Sequence, residues 1–439
     1  MLQRLFKLGE NNTNVKTEIM AGITTFMTLS YIIFVQPTVL SACGMDFGAV
    51  LAATCVASAV ATFLMGFYAN YPVALAPGMG QNFFFAYTVV MKMGISWEKA
   101  LGAVFISGVL FLLLSFFGFR EKLIDGIPAS LKEAIAVGIG LFIAMIGFQW
   151  SGIVVAAPST LVGLGSLHSA PVLISLLGLV VTVILVAARV RGALLWGILA
   201  TAVAGIPLGV VKYHGILGPA PSMAPTFLKL DIPGAFNLGL VSVVFVFFFL
   251  ALFDSVGTLI GVSNQAGLLV NGKLPRAKEA LSADAFGSVS GALLGTSTVT
   301  AYVESAAGVA EGGRTGLANM VTGLMMLSAL YLYPLSRMVG DGFQLPNGSQ
   351  IYPVVAPALI VVGSMMLRNV SKIRWEDATE AIPAFLAMVI MPFAFSITEG
   401  IAFGFISYSL LKLVTGRGRE VHGLVYLFAV LFVIRYIFL

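Results

Sequence analysis

Asn70-Tyr-Pro-Val-Ala-Leu-Ala-Pro-Gly-Met-Gly-Gln-Asn82 and Gly295-Thr-Ser-Thr-Val-Thr-Ala-Tyr-Val-Glu-Ser305 are the two stretches on which the fold turns. Both interrupt long apolar runs with several helix-poor residues and then lead into a helix start. Proline removes a backbone donor, and glycine and β-branched threonine disfavour helix. Open backbone at membrane depth is tolerated only where protein or a cavity satisfies its polar groups. A helix that begins there offers free N–H groups and the positive end of its dipole to a ligand. A plain loop explains either stretch alone, but it does not explain why they fall at matched places. Asn82 and Glu304 are 222 residues apart, and Ile127-Pro128 and Tyr352-Pro353, which both open a helix, are 225 apart. An offset near 220 in a chain of 439 residues predicts two halves. Paired repeats with an interrupted segment at corresponding positions are the pattern of secondary transporters.

Composition sets the solvent. Hydrophobic residues make up 59% of the chain, charged residues 10%, and the mean hydropathy is +1.00. Soluble domains carry roughly 25% charged residues, so the surroundings are predicted to be lipid. A spanning helix needs about 20 mainly apolar residues. The predicted spans are 18–42, 47–69, 80–93, 98–118, 128–148, 169–188, 192–211, 237–263, 278–296, 302–311, 315–334, 353–368, 382–397 and 399–416, with 80–93 and 302–311 too short to cross alone. Seven per half is odd, so the halves must be inverted. The apolar stretch 421–439 carries Arg435 and is not placed.

Basic residues orient the chain. With a cytoplasmic N-terminus, eighteen of the 24 Lys and Arg fall on the cytoplasmic side, Arg120, Lys122 and Lys273 among them. Five (Lys92, Lys99, Lys212, Lys229 and Arg337) fall on the other side, and Arg435 on neither. That asymmetry follows the positive-inside rule. It also accounts for the net charge of +5 without a nucleic-acid partner. Cys43 and Cys55 lie in apolar context and predict neither a disulfide framework nor a metal cluster. A polar N-terminus through Lys16 and a long first apolar run predict no cleavable signal peptide.

The intramembrane polar groups carry the chemistry. Asp254 lies among Phe and Leu in 241–262, and Glu304 opens the second short helix. A carboxylate at the bilayer centre costs about 2.5–3.5 kcal/mol on insertion scales, and such residues mark substrate or proton routes. Desolvation favours the neutral form of a carboxyl group, so either acid could carry a proton; a structural carboxylate bonded to Ser or Thr is the alternative. Asp284, nearer a helix start, reads equally as a proton carrier or as a carboxylate held by the helix dipole. Asn82 offers two donors and an acceptor to a heterocycle edge, or caps a helix. Phe83, Phe84, Phe85 and Tyr302 stand beside these groups as packing or as a platform; stacking a base on a ring is worth about 1–3 kcal/mol.

Enzyme chemistry finds little support. His168, His214 and His422 fall in predicted loops, and there is no HExxH. Residues 267–274 approach a phosphate loop but lack its final Ser or Thr.

Taken together, Ala21-Gly-Ile-Thr-Thr-Phe26, Leu75-Ala-Pro-Gly-Met-Gly-Gln-Asn82, Phe253-Asp-Ser-Val-Gly-Thr-Leu259, Thr298-Val-Thr-Ala-Tyr-Val-Glu-Ser-Ala-Ala-Gly308 and Glu311-Gly-Gly-Arg-Thr-Gly316 resemble the AzgA-like purine permeases of the nucleobase–ascorbate (nucleobase–cation symporter) transporters. The resemblance covers nearly the whole chain. It implies an all-α polytopic membrane protein of about fourteen spans in two inverted seven-helix repeats, with a core and a gate, the two broken segments contributing short strands. It implies a cytoplasmic N-terminus 1–16, core halves 17–118 and 237–335, gate halves 119–213 and 336–416, an external linker 214–236 and a C-terminal segment 417–439. It implies substrate contacts from Asn82, Asp254, Glu304, Phe83, Tyr302, Val303, Gly80 and Thr258. Thr258 stands where uracil carriers have a histidine, which leaves proton coupling to Asp254, Glu304 or both, with Asp284 a weaker candidate.

The expectation is therefore a proton-coupled importer of purine nucleobases in the inner membrane, with no cofactor, no metal and no enzyme activity, moving its core against its gate in elevator fashion. The resemblance further implies a homodimer through the gate. Hypoxanthine and guanine present an N1–H donor that a carboxylate accepts, so they are favoured, with adenine possible. A channel or anion-exchanger-like carrier on the same scaffold is the alternative, and acidic rather than basic residues at the breaks stand against it.

Overall fold

The structure is a computed structural model that describes residues 2–117, 127–157, 159–236, 238–269, 274–345 and 348–438. Arg120, Lys122 and Lys273, used above to orient the chain, lie outside the described residues, as do the expected boundaries at 118/119 and 237. In chain order the helices are α1 Leu2–Leu5, α2 Val15–Leu29, α3 Ile32–Ser41, α4 Phe47–Leu64, α5 Met79–Phe83, α6 Trp97–Phe117, α7 Ala129–Trp150, α8 Ala170–Ala187 and α9 Ala193–Gly205. They continue as α10 Leu238–Gln265, α11 Ala277–Leu294, α12 Ser305–Ala310, α13 Gly316–Ser328, α14 Tyr333–Gly340, α15 Ala356–Met366, α16 Ala378–Phe393, α17 Ile397–Val414 and α18 Gly423–Phe438. The strands are β1 Leu75–Pro77, β2 Val154–Ala157, β3 Leu161–Leu164, β4 Val299–Ala301, β5 Phe343–Gln344 and β6 Gln350–Ile351.

Each of the fourteen predicted spans meets a described helix. Among the described residues eight helical stretches are long and apolar enough to cross a membrane, and 193–205, 378–393 and 423–437 are shorter apolar helices. The stretch that the sequence leaves unplaced is therefore helical, as α18. The hairpins β2–β3 and β5–β6 lie where the sequence predicts only connections; Leu161, at φ 67, makes the turn that lets Ala157 face it across the first of them.

The chain resolves into two compact units, one of residues 1–116 with 150–358 and the other of 117–149 with 359–439. In the first, Ala57, Ala61 and Met65 pack with Leu259 and Val262 of α10, Ala280 and Ala283 of α11, and Leu75 and Val299 of the strands. Small side chains let these elements approach closely. In the second, Ala134 and Val137 of α7 pack on Ala384, Ala387 and Met388 of α16. There Lys412, 1% exposed, is met by Glu380 at 3.1 Å and Glu420 at 3.0 Å.

The two halves stop their helices by the same device. The π-turn Met65–Ala69 that continues α4 ends at Asn70, φ 51, and α11 ends at Gly295, φ 95. Asn70 secures its left-handed turn by accepting from Gly316 N–H at 2.8 Å and donating to the Phe6 carbonyl at 3.1 Å. At Gly295 a Cβ would stand 2.2 Å from that of Thr226, so only glycine fits. Five residues later β1 begins, and four residues later β4. They pair antiparallel, Leu75 with Ala301, Ala76 with Thr300 and Pro77 with Val299. An offset of 224 residues carries 75, 76 and 77 onto 299, 300 and 301. Each strand thus pairs with its own counterpart, with Ala76 and Thr300 on the local two-fold axis, as inverted halves require.

Candidate functional site

The strand pair brings two helix starts and α10 together within the first unit. Glycine at 78 lets the chain turn from β1 into α5: a Cβ there would lie 1.9 Å from Gln81 Oε1 and 2.6 Å from Thr300 Cγ2. The breaks are bolted together by Tyr302, whose hydroxyl donates to the Pro77 carbonyl at 2.5 Å. Asn82, fully buried, donates through Nδ2 to the same carbonyl at 3.4 Å and accepts from the Ser297 hydroxyl. Ser297 and Thr296 in turn receive Gln36 Nε2, at 3.1 and 2.9 Å. The first break is thereby read by the second through side chains as well as backbone.

The three acids separate by their partners. Glu304, half-buried, accepts the Tyr31 hydroxyl at 2.8 Å, and its carbonyl accepts from the Thr28 hydroxyl at 3.2 Å. Asp254 is exposed and accepts from Gln81 Nε2 at 3.4 Å. Asp254 and Glu304 lie within each other's electrostatic reach, with Tyr31 and Tyr302 beside both. Asp284 is fully buried and turned to the scaffold: it accepts from Ser255 Oγ at 2.5 Å and from the Ala301 N–H of β4 at 2.9 Å. Ser255 also bonds Thr300 at 2.9 Å.

Of the remaining residues singled out from sequence, Gly80 and Thr258 are half-buried, Tyr302 is 5% exposed and Val303 is 62% exposed at the tip between β4 and α12. Phe83 is fully buried, stacked on Tyr87 at 5.9 Å and against Trp150 at 6.2 Å; Phe84 meets Phe247 edge-on at 4.8 Å. These rings pack against other rings. Sequence reasoning passed over Tyr31, Gln36 and Gln81. The signal is present, since polar side chains inside an apolar run demand a partner: Tyr31 and Gln36 lie in the first predicted span and Gln81 in the first break. Among the described residues, no group of His, Cys, Asp and Glu is arranged to hold a metal ion.

Two carboxylates with neutral hydroxyl and amide partners beside the start of α5 suit a planar, uncharged ligand rich in N–H and C=O groups; the first N–H groups of α12 are taken by the Tyr302, Val303 and Glu304 carbonyls.

Comparison with known proteins identifies the family. The Permease family matches residues 16–403. The adenine permease AdeP of Escherichia coli is 46% identical, covering 100% of this chain and 96% of its own. The guanine/hypoxanthine permease PbuG of Bacillus subtilis is 46% identical over 100% of both chains. Among solved structures, the transmembrane domain of the cyanobacterial bicarbonate transporter BicA superposes with a TM-score of 0.63 at 14% identity, covering 89% of this chain and 97% of that one, which shows a shared fold. The motifs, the inverted-repeat architecture and the full-length relatives agree: the chain is a multi-pass membrane protein that belongs to the Permease family, alongside the purine nucleobase permeases it resembles.

Proposed function

We infer that the protein imports purine nucleobases by proton symport, with hypoxanthine and guanine favoured and adenine possible. The observation that carries this is the convergence of Asn82, Asp254 and Glu304 on one strand-paired pair of helix starts, where the two exposed or half-exposed acids have only neutral partners. An ionised carboxylate accepts the N1–H of an oxopurine, and the adjacent carbonyl of the base meets N–H donors at a helix start. A proton taken up by Asp254 or Glu304 lowers the cost of moving the loaded site through the membrane. The coupling ion is the proton, and no cofactor is needed. Movement is of elevator type, core against gate, in a homodimer built through the gate, with the N-terminus in the cytoplasm of the inner membrane.

The fold shared with a bicarbonate transporter keeps an anion carrier or channel as a second reading. It asks for cationic groups where this chain has Asp254 and Glu304. Uptake of labelled hypoxanthine, guanine, adenine and uracil, in cells lacking their own carriers and with or without a protonophore, separates the two. Saturable, protonophore-sensitive uptake of a purine is expected. Absence of purine uptake by protein shown to be in the membrane, or flux that neither saturates nor responds to the protonophore, would overturn the symport reading.

A further inference from the structure

Gln81 is a buried polar side chain at the site for which purine binding alone supplies no task. It lies on the first turn of α5, 1% exposed, next to Asn82. Its Nε2 donates to Asp254 Oδ2 at 3.4 Å, while its Oε1 is buried without a hydrogen-bond partner. An idle buried acceptor is costly and uncommon in folded proteins. Oε1 rests where a Cβ on residue 78 would stand, so glycine at that position is what makes room for this end of the amide.

An amide carries a donor at one end and an acceptor of nearly equal size at the other. A carboxylate only accepts; once protonated, it also donates. The last torsion of glutamine is broad and roughly two-fold. We propose that Gln81 is a positioning residue for proton coupling, its amide holding Asp254 through Nε2 when the acid is ionised and through Oε1 when it is protonated, and turning over in the space left by Gly78. Asp254 then keeps one hydrogen bond to the α5 helix start in both states, and the start of α5 feels which state it is in.

The other ionisable groups facing Asp254 do not substitute for this. Tyr31 is engaged with Glu304 and Tyr302 with the Pro77 carbonyl, and Glu304 is itself an acid. Asp284 directs its oxygens to Ser255 and Ala301. The proton balance is simple. A proton from water binds Asp254 Oδ2 and is shared with Gln81 Oε1; it returns to water on the other side as the amide turns back.

The proposal rests on purine–proton symport, so wild-type protein is measured first; absence of protonophore-sensitive purine accumulation there would remove the symport reading itself. With that in hand, Gln81→Met, close in volume but without polar ends, is compared in two assays: accumulation of labelled purine against its gradient, and exchange of labelled for unlabelled purine, which needs no net proton movement. Accumulation is expected to fall about threefold to tenfold, the size of one lost hydrogen bond, while exchange continues. A proportional fall in both, or accumulation as in wild type, overturns the relay. Should the Met variant not reach the membrane, Gln81→Glu keeps the length and polarity. Two facing carboxyl groups share a hydrogen bond only with a proton between them, so its uptake is expected only at more acidic pH than in wild type. An unchanged pH profile overturns the proposal.

Discussion

At the scale of single residues, chemistry divides three acids that look alike in the sequence. Asp254 and Glu304 keep side chains open to a ligand, whereas Asp284 is consumed by the scaffold. Glu304→Gln keeps the shape and the partner Tyr31 but cannot exchange a proton. It should abolish accumulation of purine while protein level in the membrane stays normal; accumulation equal to wild type would show that coupling does not run through Glu304. Asp284→Ala should act on stability instead. It strands the Ala301 N–H and one bond of Ser255, at about 1–3 kcal/mol per buried group, and should lower the melting temperature of the purified protein by several degrees. Asp284→Asn keeps an acceptor for Ala301 and should melt closer to wild type and still accumulate purine. Loss of accumulation without loss of stability in the Asn variant would instead restore Asp284 as a proton carrier. The sequence sets Asp284 apart only as the weaker candidate, nearer a helix start. All three acids lie in apolar runs, and the partner, a phenol for one and a backbone amide for another, is what separates them.

At the scale of elements, the breaks were legible because proline, glycine and threonine violate helix chemistry inside apolar runs at a constant offset. What was not legible is that the left-handed residues Asn70 and Gly295 stop the preceding helices, and that β1 and β4 register about Ala76 and Thr300; pairing between strands 224 residues apart leaves no local trace. Gly295→Ala tests the device. A Cβ at φ 95 is strained by backbone sterics and would collide with Thr226. The variant should lose at least about 1–3 kcal/mol, seen as reduced yield of folded protein, with purine affinity of the surviving fraction little changed if the strand pair reforms. In the second unit, charges tie α16 to the turn before α18. Asp377 is held below the usual carboxylate range by the Thr379 hydroxyl and then by Arg417. Glu420 is held down to about 2 by Arg417 and then Lys412. A depressed carboxyl stabilises the fold fully above its ordinary value near 4 and ceases to do so as pH falls through its folded value. Thermal stability should therefore be flat from neutral pH to about pH 4 and decline only below it. Arg417→Met should lower stability at neutral pH and flatten that decline, because the folded values move back towards the ordinary one; an unchanged acid limb would show that these ion pairs, exposed at Glu420, contribute nothing measurable.

At the scale of the whole molecule, membrane residence followed from composition alone, because a chain with 10% charge has no aqueous way to bury its surface. The helicity of 423–438 did not follow. Arg435 broke the apolar pattern there, and only the structure shows its guanidinium paired with Glu399 at 2.8 Å. The same economy of charge predicts the energetics of transport. Hypoxanthine and guanine are neutral near pH 7, and the partners of Asp254 and Glu304 at the site are neutral as well. One purine carried with one proton therefore moves a single net positive charge. A membrane potential of about 100 mV, negative inside, is worth about 2.3 kcal/mol per charge, which allows up to roughly 50-fold accumulation with no pH difference at all. In vesicles holding the purified protein, a potassium diffusion potential set by valinomycin should drive labelled hypoxanthine inward when the interior is negative and fail to do so when the gradient is reversed. A pH difference of one unit, acid outside, should add up to tenfold more. If accumulation follows the pH difference but ignores the potential, the proton's charge is offset by a second transported ion or by a base carried as its anion, because charges fixed on the protein cancel over a full cycle. Symport of one neutral purine with one proton then fails. If it follows the potential but ignores the pH difference, another cation takes the place of the proton between Asp254 and Glu304.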